Sequence, residues 1–185
     1  MNSKLKRLGR RIAFEGEVVD LYKDIMEYPD GSMHEWDYVH HKRGYGACVI
    51  PVLPDGRIVL VRQFRPAVDE VILEIPAGGI EKEDKDTLVC AKRELTEETG
   101  YTSNDFSHLL RVQVAVAYCN EWLDIYLAKD CQKAQSGQIL DQGEDINVEI
   151  YTLDELLDKV YNFEIKDSKT VAAITAYAVK YGKKN

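Results

Sequence analysis

The segment 87–99 constrains the fold most strongly, because it is a helix pattern set among strand patterns. Its sequence TLVCAKRELTEET is rich in good helix formers and is followed by Gly100, the residue type that most often ends a helix. At 100° per residue, Leu88, Ala91 and Leu95 share one apolar stripe. The pattern therefore predicts a helix that packs this stripe against a core.

Strand patterns lie on both sides of this helix. Residues 46–53 and 57–64 contain many β-branched residues and are separated by Pro54-Asp55-Gly56, which predicts a hairpin. Further strands are expected at 71–76, 109–117 and 122–128, a long polar loop at 130–145, and helices at about 153–161 and 168–181. This order of elements favours an α+β fold or a mixed α/β sandwich.

A separate piece precedes this region. Residues 12–39 alternate loosely and contain the turn sequence Tyr28-Pro29-Asp30-Gly31, which predicts a β-hairpin of two strands. We therefore expect residues 1–44 to form an N-terminal strand and hairpin region, and residues 45–185 to form the main domain.

The charge balance limits the partners. The chain has 32 Asp and Glu against 24 Lys and Arg, a formal charge of −8, so nucleic acid is not an expected partner. No apolar run approaches the roughly 18 residues that a spanning helix needs, and the basic N-terminus lacks the apolar stretch of a signal peptide. The four cysteines are scattered without metal-type spacing, which favours reduced thiols. We expect a cytoplasmic protein that does not enter the membrane.

Three carboxylates share one flank of the predicted helix. Glu94, Glu97 and Glu98 have i, i+3 and i+4 spacing, which places them on one face, where their charges repel. A solvated acidic face is one interpretation. The other is a divalent cation site, because Mg²⁺ and Mn²⁺ prefer carboxylate ligands, and Gly78 and Gly79 upstream permit a tight turn that presents a carbonyl to the same ion.

The segment 93–101, RELTEETGY, resembles the second half of the Nudix box, G-x5-E-x7-R-E-U-x-E-E-x-G-U, in which U is a bulky aliphatic residue. This half matches through Gly100, and its last position holds an aromatic residue. The first half departs from the pattern. Counting back from Arg93 puts Lys85 where the first glutamate belongs, whereas counting forward from Gly78 puts Asp84 there with one residue inserted. Either the acid is lost, or Glu83 or Asp84 supplies it; in the family this acid is structural.

Two further segments, Gln63-Phe64-Arg65-Pro66 and Glu74-Ile75-Pro76-Ala77-Gly78, resemble motifs of the Nudix subgroup that cleaves ADP-ribose. The resemblance implies that Arg65 and Gly78 contact the substrate. It also implies that the Ala77 carbonyl binds metal together with the three glutamates of the helix. A solvated arginine at the end of a strand is the alternative for Arg65.

The resemblance also implies roles for an acid in a loop near residue 144 and for Glu121. The segment 143–146 resembles a loop that supplies an acid for water activation, with Glu144 as the best match and Asp141 and Asp145 as alternatives; a solvated loop acid is the competing interpretation. Glu121 matches a substrate-binding acid that follows a turn downstream of the box, although the proline and glycine of that turn are absent from 115–121.

Trp36 occupies a place like that of a tryptophan that stacks on adenine in relatives whose hairpins are exchanged in a dimer. An aromatic residue in a strand is otherwise more often part of a core. The resemblance thus implies a homodimer in which residues 12–39 help to build the partner's base pocket.

Together, the resemblance implies a Nudix-like α/β/α sandwich with a mixed β-sheet and a hydrolase that uses Mg²⁺ or Mn²⁺. The expected substrate is a nucleoside diphosphate sugar, foremost ADP-ribose, cleaved to AMP and ribose 5-phosphate, with Glu97, Glu98 and Glu144 as catalytic residues. GDP-mannose or another nucleotide sugar is an alternative substrate. A nucleotide-sensing domain without activity is a third hypothesis, but a pure binder need not keep three carboxylates that repel one another.

Overall fold

The computed structural model describes residues 4–182, which form two compact units. The first unit contains the residues up to Tyr45 together with Gln113–Trp122, and the second contains Gly46–Val112 and the residues from Leu123 onward. Most of the predicted N-terminal region, 1–44, therefore lies in the first unit, which also takes in a segment from much later in the chain. The outer ends of the predicted regions, 1–3 and 183–185, lie outside the described residues.

The first unit contains one antiparallel sheet of order β1-β2-β3, made of β1 (Lys6–Glu15), β2 (Val19–Glu27) and β3 (Met33–His41). The turn between β2 and β3 lies where the sequence predicts it, and the Gly31 amide donates to the Tyr28 carbonyl at 2.9 Å. Strands β2 and β3 form the predicted hairpin, and β1 adds a third strand to the sheet. β1 is almost wholly exposed and its register with β2 is irregular in two places, so its sequence lacks the alternation that marks a strand.

The second unit is built on two larger sheets and three helices within the described residues. Its elements are β4 (Tyr45–Pro51), β5 (Ile58–Arg65), β6 (Glu70–Glu74), β7 (Ala77–Gly79), α1 (Thr87–Thr99), β8 (Tyr101–Thr102), β9 (Asp105–Gln113), β10 (Trp122–Lys129), β11 (Gln132–Lys133), β12 (Ile146–Tyr151), α2 (Leu153–Tyr161) and α3 (Ser168–Tyr181). The sheet orders are β7-β4-β10-β9 and β12-β5-β6, and β8 pairs with β11. The helices begin and end where the sequence predicts them, and Gly100 caps α1 with a φ of 69°.

The predicted hairpin of β4 and β5 is only half correct. The tight turn is present, because the Gly56 amide donates to the Leu53 carbonyl at 2.9 Å. Beyond a single bridge between Val52 and Ile58, however, the two strands separate into different sheets. Strand β12, within a region for which the sequence indicates no strand, becomes the partner of β5 instead.

Alternate residues of β4 face two different cores. Ala47 and Val49 belong to a cluster with Leu95 of α1, whereas Cys48 and Ile50 belong to a cluster that includes residues of α2 and α3. Successive side chains of a strand point to opposite faces, so this division places helices on both sides of the strand layer. The prediction of an α+β fold with an α/β/α sandwich is confirmed.

All four cysteines are free thiols, as the sequence predicts. Cys48, Cys90 and Cys131 are buried, and Cys119 is half-buried. Burial raises the pKa of Cys90 and of Cys131 to about 12. Within residues 4–182, no helix combines the length and the apolar character that a membrane span requires.

Candidate active site

The acidic face of α1 points into the second unit rather than into open solvent. Glu94 and Glu98 are 8% and 4% exposed, while the side chain of Glu97 is 32% exposed. Burial is the main cause that raises the pKa of Glu94 to about 7 and that of Glu98 to about 8. Neighbouring carboxylates add to both shifts. The charge of Glu97 raises the pKa of Glu94, and the charge of Glu94 raises the pKa of Glu98. Negative charge here is therefore costly unless a cation shares the site.

Strand β7 runs beside these carboxylates. The Ala77 amide donates to Glu98 Oε2 at 3.0 Å, which fixes this backbone against the helix. A Cβ atom built on Gly78 would lie 1.9 Å from Glu94 Oε1, so any side chain at this position would push the carboxylate away. The glycine that the sequence singled out is thus required by a close approach between backbone and helix.

Arg93 binds the open side of the acidic face. Its NH1 group donates to Glu94 Oε1 at 2.7 Å and to Glu97 Oε2 at 2.8 Å, and its NH2 group donates to the Gly79 carbonyl at 3.1 Å. The same NH2 group donates to Asp84 Oδ2 at 2.8 Å.

The contact with Arg93 distinguishes among the candidates for the first acid of the box. Asp84 has a side chain that is 3% exposed and is tied to its own loop by the Glu81 amide at 3.0 Å. Glu83 and Lys85 are exposed. Asp84 therefore occupies the position facing Arg93, which agrees with a box that carries one inserted residue.

The donor set fits a divalent cation. Two buried carboxylates lie on one helix face, each with a pKa raised by burial and by another carboxylate, and the missing side chain at Gly78 makes room for the Glu94 carboxylate. Among residues 4–182, no three Asp, Glu, His or Cys side chains already converge as a metal-binding group. The hydrogen bonds explain this, because Glu97 is turned toward Arg93 and Glu98 toward the Ala77 amide.

Arg65 lies at the end of β5 and is held by a buried carboxylate. Its Nε and NH2 groups donate to the two oxygens of Glu74 at 2.6 and 2.9 Å. The Arg65 charge acts to lower the pKa of Glu98, so the guanidinium lies within electrostatic reach of the acidic face. Sequence reasoning placed Arg65 at the site but missed the role of Glu74, although Glu74 begins one of the two motifs that pointed there.

Glu144 lies in the turn before β12. Its amide donates to the Asp141 carbonyl at 3.1 Å, and the Asp141 amide donates to Glu144 Oε2 at 2.9 Å, so the carboxylate closes its own turn. The Glu144 charge raises the pKa of both Glu94 and Glu98, which brings this loop acid into electrostatic contact with the helix face.

Trp36 and Glu121 belong to the first unit. Trp36 is 42% exposed and donates from Nε1 to the Tyr28 hydroxyl at 3.1 Å, so it is not a core residue. Glu121 is half-buried, with Oε1 lying 3.9 Å from His41 Nε2. A cavity of about 220 Å³ in this unit is lined by Arg7, Asp24, Met26, Trp36, Asp37, Tyr38, Val116, Ala117, Tyr118 and Cys119.

Comparison with known proteins agrees with this geometry. The NUDIX domain model matches residues 42–173. An ADP-ribose pyrophosphatase of Bacillus subtilis is 32% identical over 95% of this chain and 91% of its own length. A methanol dehydrogenase activator of Bacillus methanolicus is 36% identical over 87% and 85%, and a GDP-mannose pyrophosphatase of Cronobacter sakazakii is 30% identical over 77% and 80%.

A solved structure described as an ADP compounds hydrolase has the same fold, with a TM-score of 0.85 over 98% of each chain at 18% identity. The domain match covers the two sheets, the acidic helix and the glycine strand that together form the site. On the strength of this match and of relatives that align over nearly the whole chain, the chain belongs to the NUDIX domain family.

Proposed function

We propose that this chain is a metal-dependent pyrophosphohydrolase that cleaves the diphosphate of a nucleoside diphosphate sugar, with ADP-ribose as the substrate. The observation that carries the proposal is the pair of buried carboxylates, Glu94 and Glu98, packed against Ala77 and Gly78 in a NUDIX domain. A relative named ADP-ribose pyrophosphatase that aligns over 95% of the chain supports the substrate. The products are then AMP and ribose 5-phosphate.

The carboxylates of Glu94, Glu97 and Glu98 and the carbonyl of Ala77 would hold Mg²⁺ or Mn²⁺. When bound, such an ion polarises a phosphoryl oxygen and lowers the pKa of a coordinated water. The ion also offsets the negative charge of both the site and the diphosphate. For Glu97 to contribute, its carboxylate must leave Arg93, to which it is bound in this structure.

The remaining residues act directly on the substrate. Arg65 donates to a phosphate oxygen, and Gly78 lets the diphosphate approach the backbone. Glu144 orients the attacking water and accepts its proton as the new P–O bond forms and the bridging P–O bond breaks. The bridging oxygen leaves with the other phosphate.

In this proposal the first unit of one copy contributes to the nucleoside end of its partner's site. Trp36 stacks on the base through its exposed indole, and Glu121 contacts the substrate. The aromatic N-terminal sheet belongs to a homodimer, in which it completes the base pocket of the partner. Support comes from the exposed apolar side chains of β1 and its neighbouring turn, Leu8, Ile12, Phe14 and Val18, which a second copy would cover.

A GDP-mannose substrate is the second candidate, favoured by the relative of that activity at 30% identity. The relative named as a methanol dehydrogenase activator raises a further possibility, in which the domain acts on another protein. The buried pair Glu94 and Glu98 on α1 favours hydrolysis, because buried carboxylates with raised pKa values destabilise a domain that gains no ligand from them.

A substrate panel tests the proposal. The purified protein is assayed with Mg²⁺ against ADP-ribose, GDP-mannose, other nucleotide sugars and free nucleoside diphosphates, with products identified by mass spectrometry. We expect the highest kcat/KM with ADP-ribose. A preference for GDP-mannose would transfer the assignment to the second candidate, and no cleavage of any diphosphate with Mg²⁺ or Mn²⁺ would contradict the hydrolase.

A further inference from the structure

We infer that Glu74 and Lys169 are positioning residues for Arg65: together they hold its guanidinium in the orientation that meets the substrate diphosphate. The inference rests on the proposed function, because it presumes that Arg65 binds substrate. It adds two residues from β6 and α3 that the box and its neighbouring motifs do not assign to this task.

The Arg65–Glu74 contact fixes both the position and the tilt of the guanidinium. The two hydrogen bonds, 2.6 Å from Nε and 2.9 Å from NH2, use one edge of the planar group. A guanidinium has five N–H donors, so the NH1 group and the second NH2 hydrogen stay on the opposite edges. The Arg65 side chain is 40% exposed, which leaves those donors accessible to a phosphate.

Glu74 needs more than one cation because it is nearly fully buried. Its side chain is 1% exposed, and a buried carboxylate is tolerated only when it is paired. Lys169 Nζ supplies the second pairing and also contacts Asp167 Oδ2 at 2.9 Å. Burial acts to lower the pKa of Lys169, but Glu74 and Asp167 raise it above its usual value, so the amine stays charged.

The first turn of α3 holds Lys169 rigidly. Asp167 caps this helix by accepting from the Thr170 amide at 3.0 Å. The Thr170 hydroxyl in turn accepts from the Ile75 amide at 3.0 Å, so the helix end is anchored to the residue that follows Glu74. Two residues further on, Ala77 contacts Glu98, and the anchor is therefore continuous with the acidic face.

This arrangement lets Arg65 share its charge with an anion at little cost while Glu74 holds its guanidinium in place. When Arg65 also binds a phosphate, Glu74 retains Lys169 as a counter-ion. The buried carboxylate therefore always has a cationic partner. With Lys169 removed, Arg65 would be the only cation paired with Glu74 among residues 4–182, and its hold on the substrate would weaken.

The test compares Arg65→Gln, Glu74→Gln and the double variant, with Glu70→Gln as the matched control. Glu70 lies on the same strand and also pairs with a lysine, at 2.6 Å from Lys166, but that pair is exposed. We expect Arg65→Gln and Glu74→Gln each to raise KM for ADP-ribose about tenfold or more with kcat within about threefold, and Glu70→Gln to change neither. The double variant should show no higher KM than Arg65→Gln alone, because both substitutions remove one function.

Lys169→Met should raise KM in the same direction. Circular dichroism and thermal melting establish that each variant is folded, and Glu74→Gln keeps the test valid if Lys169→Met does not fold. Calorimetry without divalent ions measures the dissociation constant of ADP-ribose in the absence of turnover. We expect this constant to rise in the same variants in which KM rises.

Several outcomes would overturn the inference. An unchanged KM and affinity in Glu74→Gln, beside a raised KM in Arg65→Gln, would leave the proposed hydrolase intact and reject Glu74 as a positioning residue. Additive effects in the double variant would show that Glu74 acts independently of Arg65. An inactive wild-type protein would contradict the hydrolase, while the binding series would still decide the positioning role.

Discussion

Asp84 and Arg93 are joined by a hydrogen bond of 2.8 Å between Oδ2 and NH2, and this contact anchors the loop before α1 to the middle of the helix. Arg93 uses its other donors on Glu97 and on the Gly79 carbonyl. Asp84 thus neutralises a cation that would otherwise be drawn more strongly to the proposed metal ligands.

Asp84→Asn should lower both the stability of the protein and its kcat. The substitution keeps the shape of the side chain but removes the charge facing Arg93, and a hydrogen bond to a charged group contributes about 1.5–3 kcal/mol. Urea unfolding measures the free energy of unfolding. The kcat should fall because Arg93, without the Asp84 charge, binds Glu97 more strongly. Glu83→Gln, an exposed neighbour, is the control; equal effects of the two substitutions would refute the role of Asp84.

Removal of divalent ions should abolish diphosphate cleavage, and Mg²⁺ or Mn²⁺ should restore it. The reason is the pair of buried carboxylates, whose pKa values are raised in the absence of a cation. Glu98→Gln should lower kcat by about 10²–10⁴-fold, the range for loss of a group that acts in the transition state. The variant should melt no lower than the wild type, because the lost charge was destabilising. Full activity in a chelator would reject the mechanism.

Glu144→Gln should lower kcat by about 10²–10⁴-fold and change KM little, since a water-activating base acts in the transition state. Asp141→Asn and Asp145→Asn are matched controls from the same exposed turn. Steady-state kinetics on ADP-ribose separates the three acids. If one of the aspartate variants carries the loss instead, the role belongs to that residue.

Asp124 should contribute stability that is lost in acid. Burial acts to raise its pKa, but hydrogen bonds from Arg111, His108 and Thr87 hold it well below the ordinary value of 3.8. Because the folded pKa is the lower one, the contribution is complete above about 3.8 and declines as the pH falls through the folded value.

Urea unfolding from about pH 7 to about pH 2.5 checks this expectation. The difference in unfolding free energy between wild type and Asp124→Asn should be largest near neutrality and shrink below pH 3.8. Asp158→Asn, on the exposed side of α2, should show no such trend. A difference that is constant with pH would mean that the ionised form of Asp124 is not what stabilises the fold.

Trp36→Ala should raise KM and reduce discrimination between purine nucleotides, with kcat less affected, because stacking on the base contributes to binding. The wild type should sediment as a dimer at micromolar concentration. Tyr28→Phe, which removes only the hydroxyl that accepts from Trp36, is a milder control. A monomeric protein, or an unaltered KM in Trp36→Ala, would contradict the proposed base pocket.

Helices were predictable from this sequence because their signals are local. Asp86 and Gly100 cap α1, and Thr152 and Glu155 form a capping box at α2, all within one turn of the helix that they end or begin. The acidic face follows from spacing along the same helix. Each of these features depends on residues three or four positions apart.

Pairing between distant strands was not predictable in this way. The turn at Gly56 indicates a hairpin, yet β5 finds its long partners in β6 and β12 instead of β4. Glu74, the partner of Arg65, likewise pairs with Lys169, which follows it by 95 residues. Sequence patterns predict which face of an element a residue occupies, but they do not identify the distant segment that packs against that face.

The different burial of the four thiols should allow Cys119, in the first unit, to be labelled selectively. Maleimide reagents react with accessible thiolates, so buried Cys48, Cys90 and Cys131 should react far more slowly than Cys119. Cys119 lines the same cavity as Trp36. A dye attached there would sit close enough to the indole for energy transfer, and the native chain thus carries its own donor and attachment point for watching, in real time, whether this cavity fills when nucleotide is added.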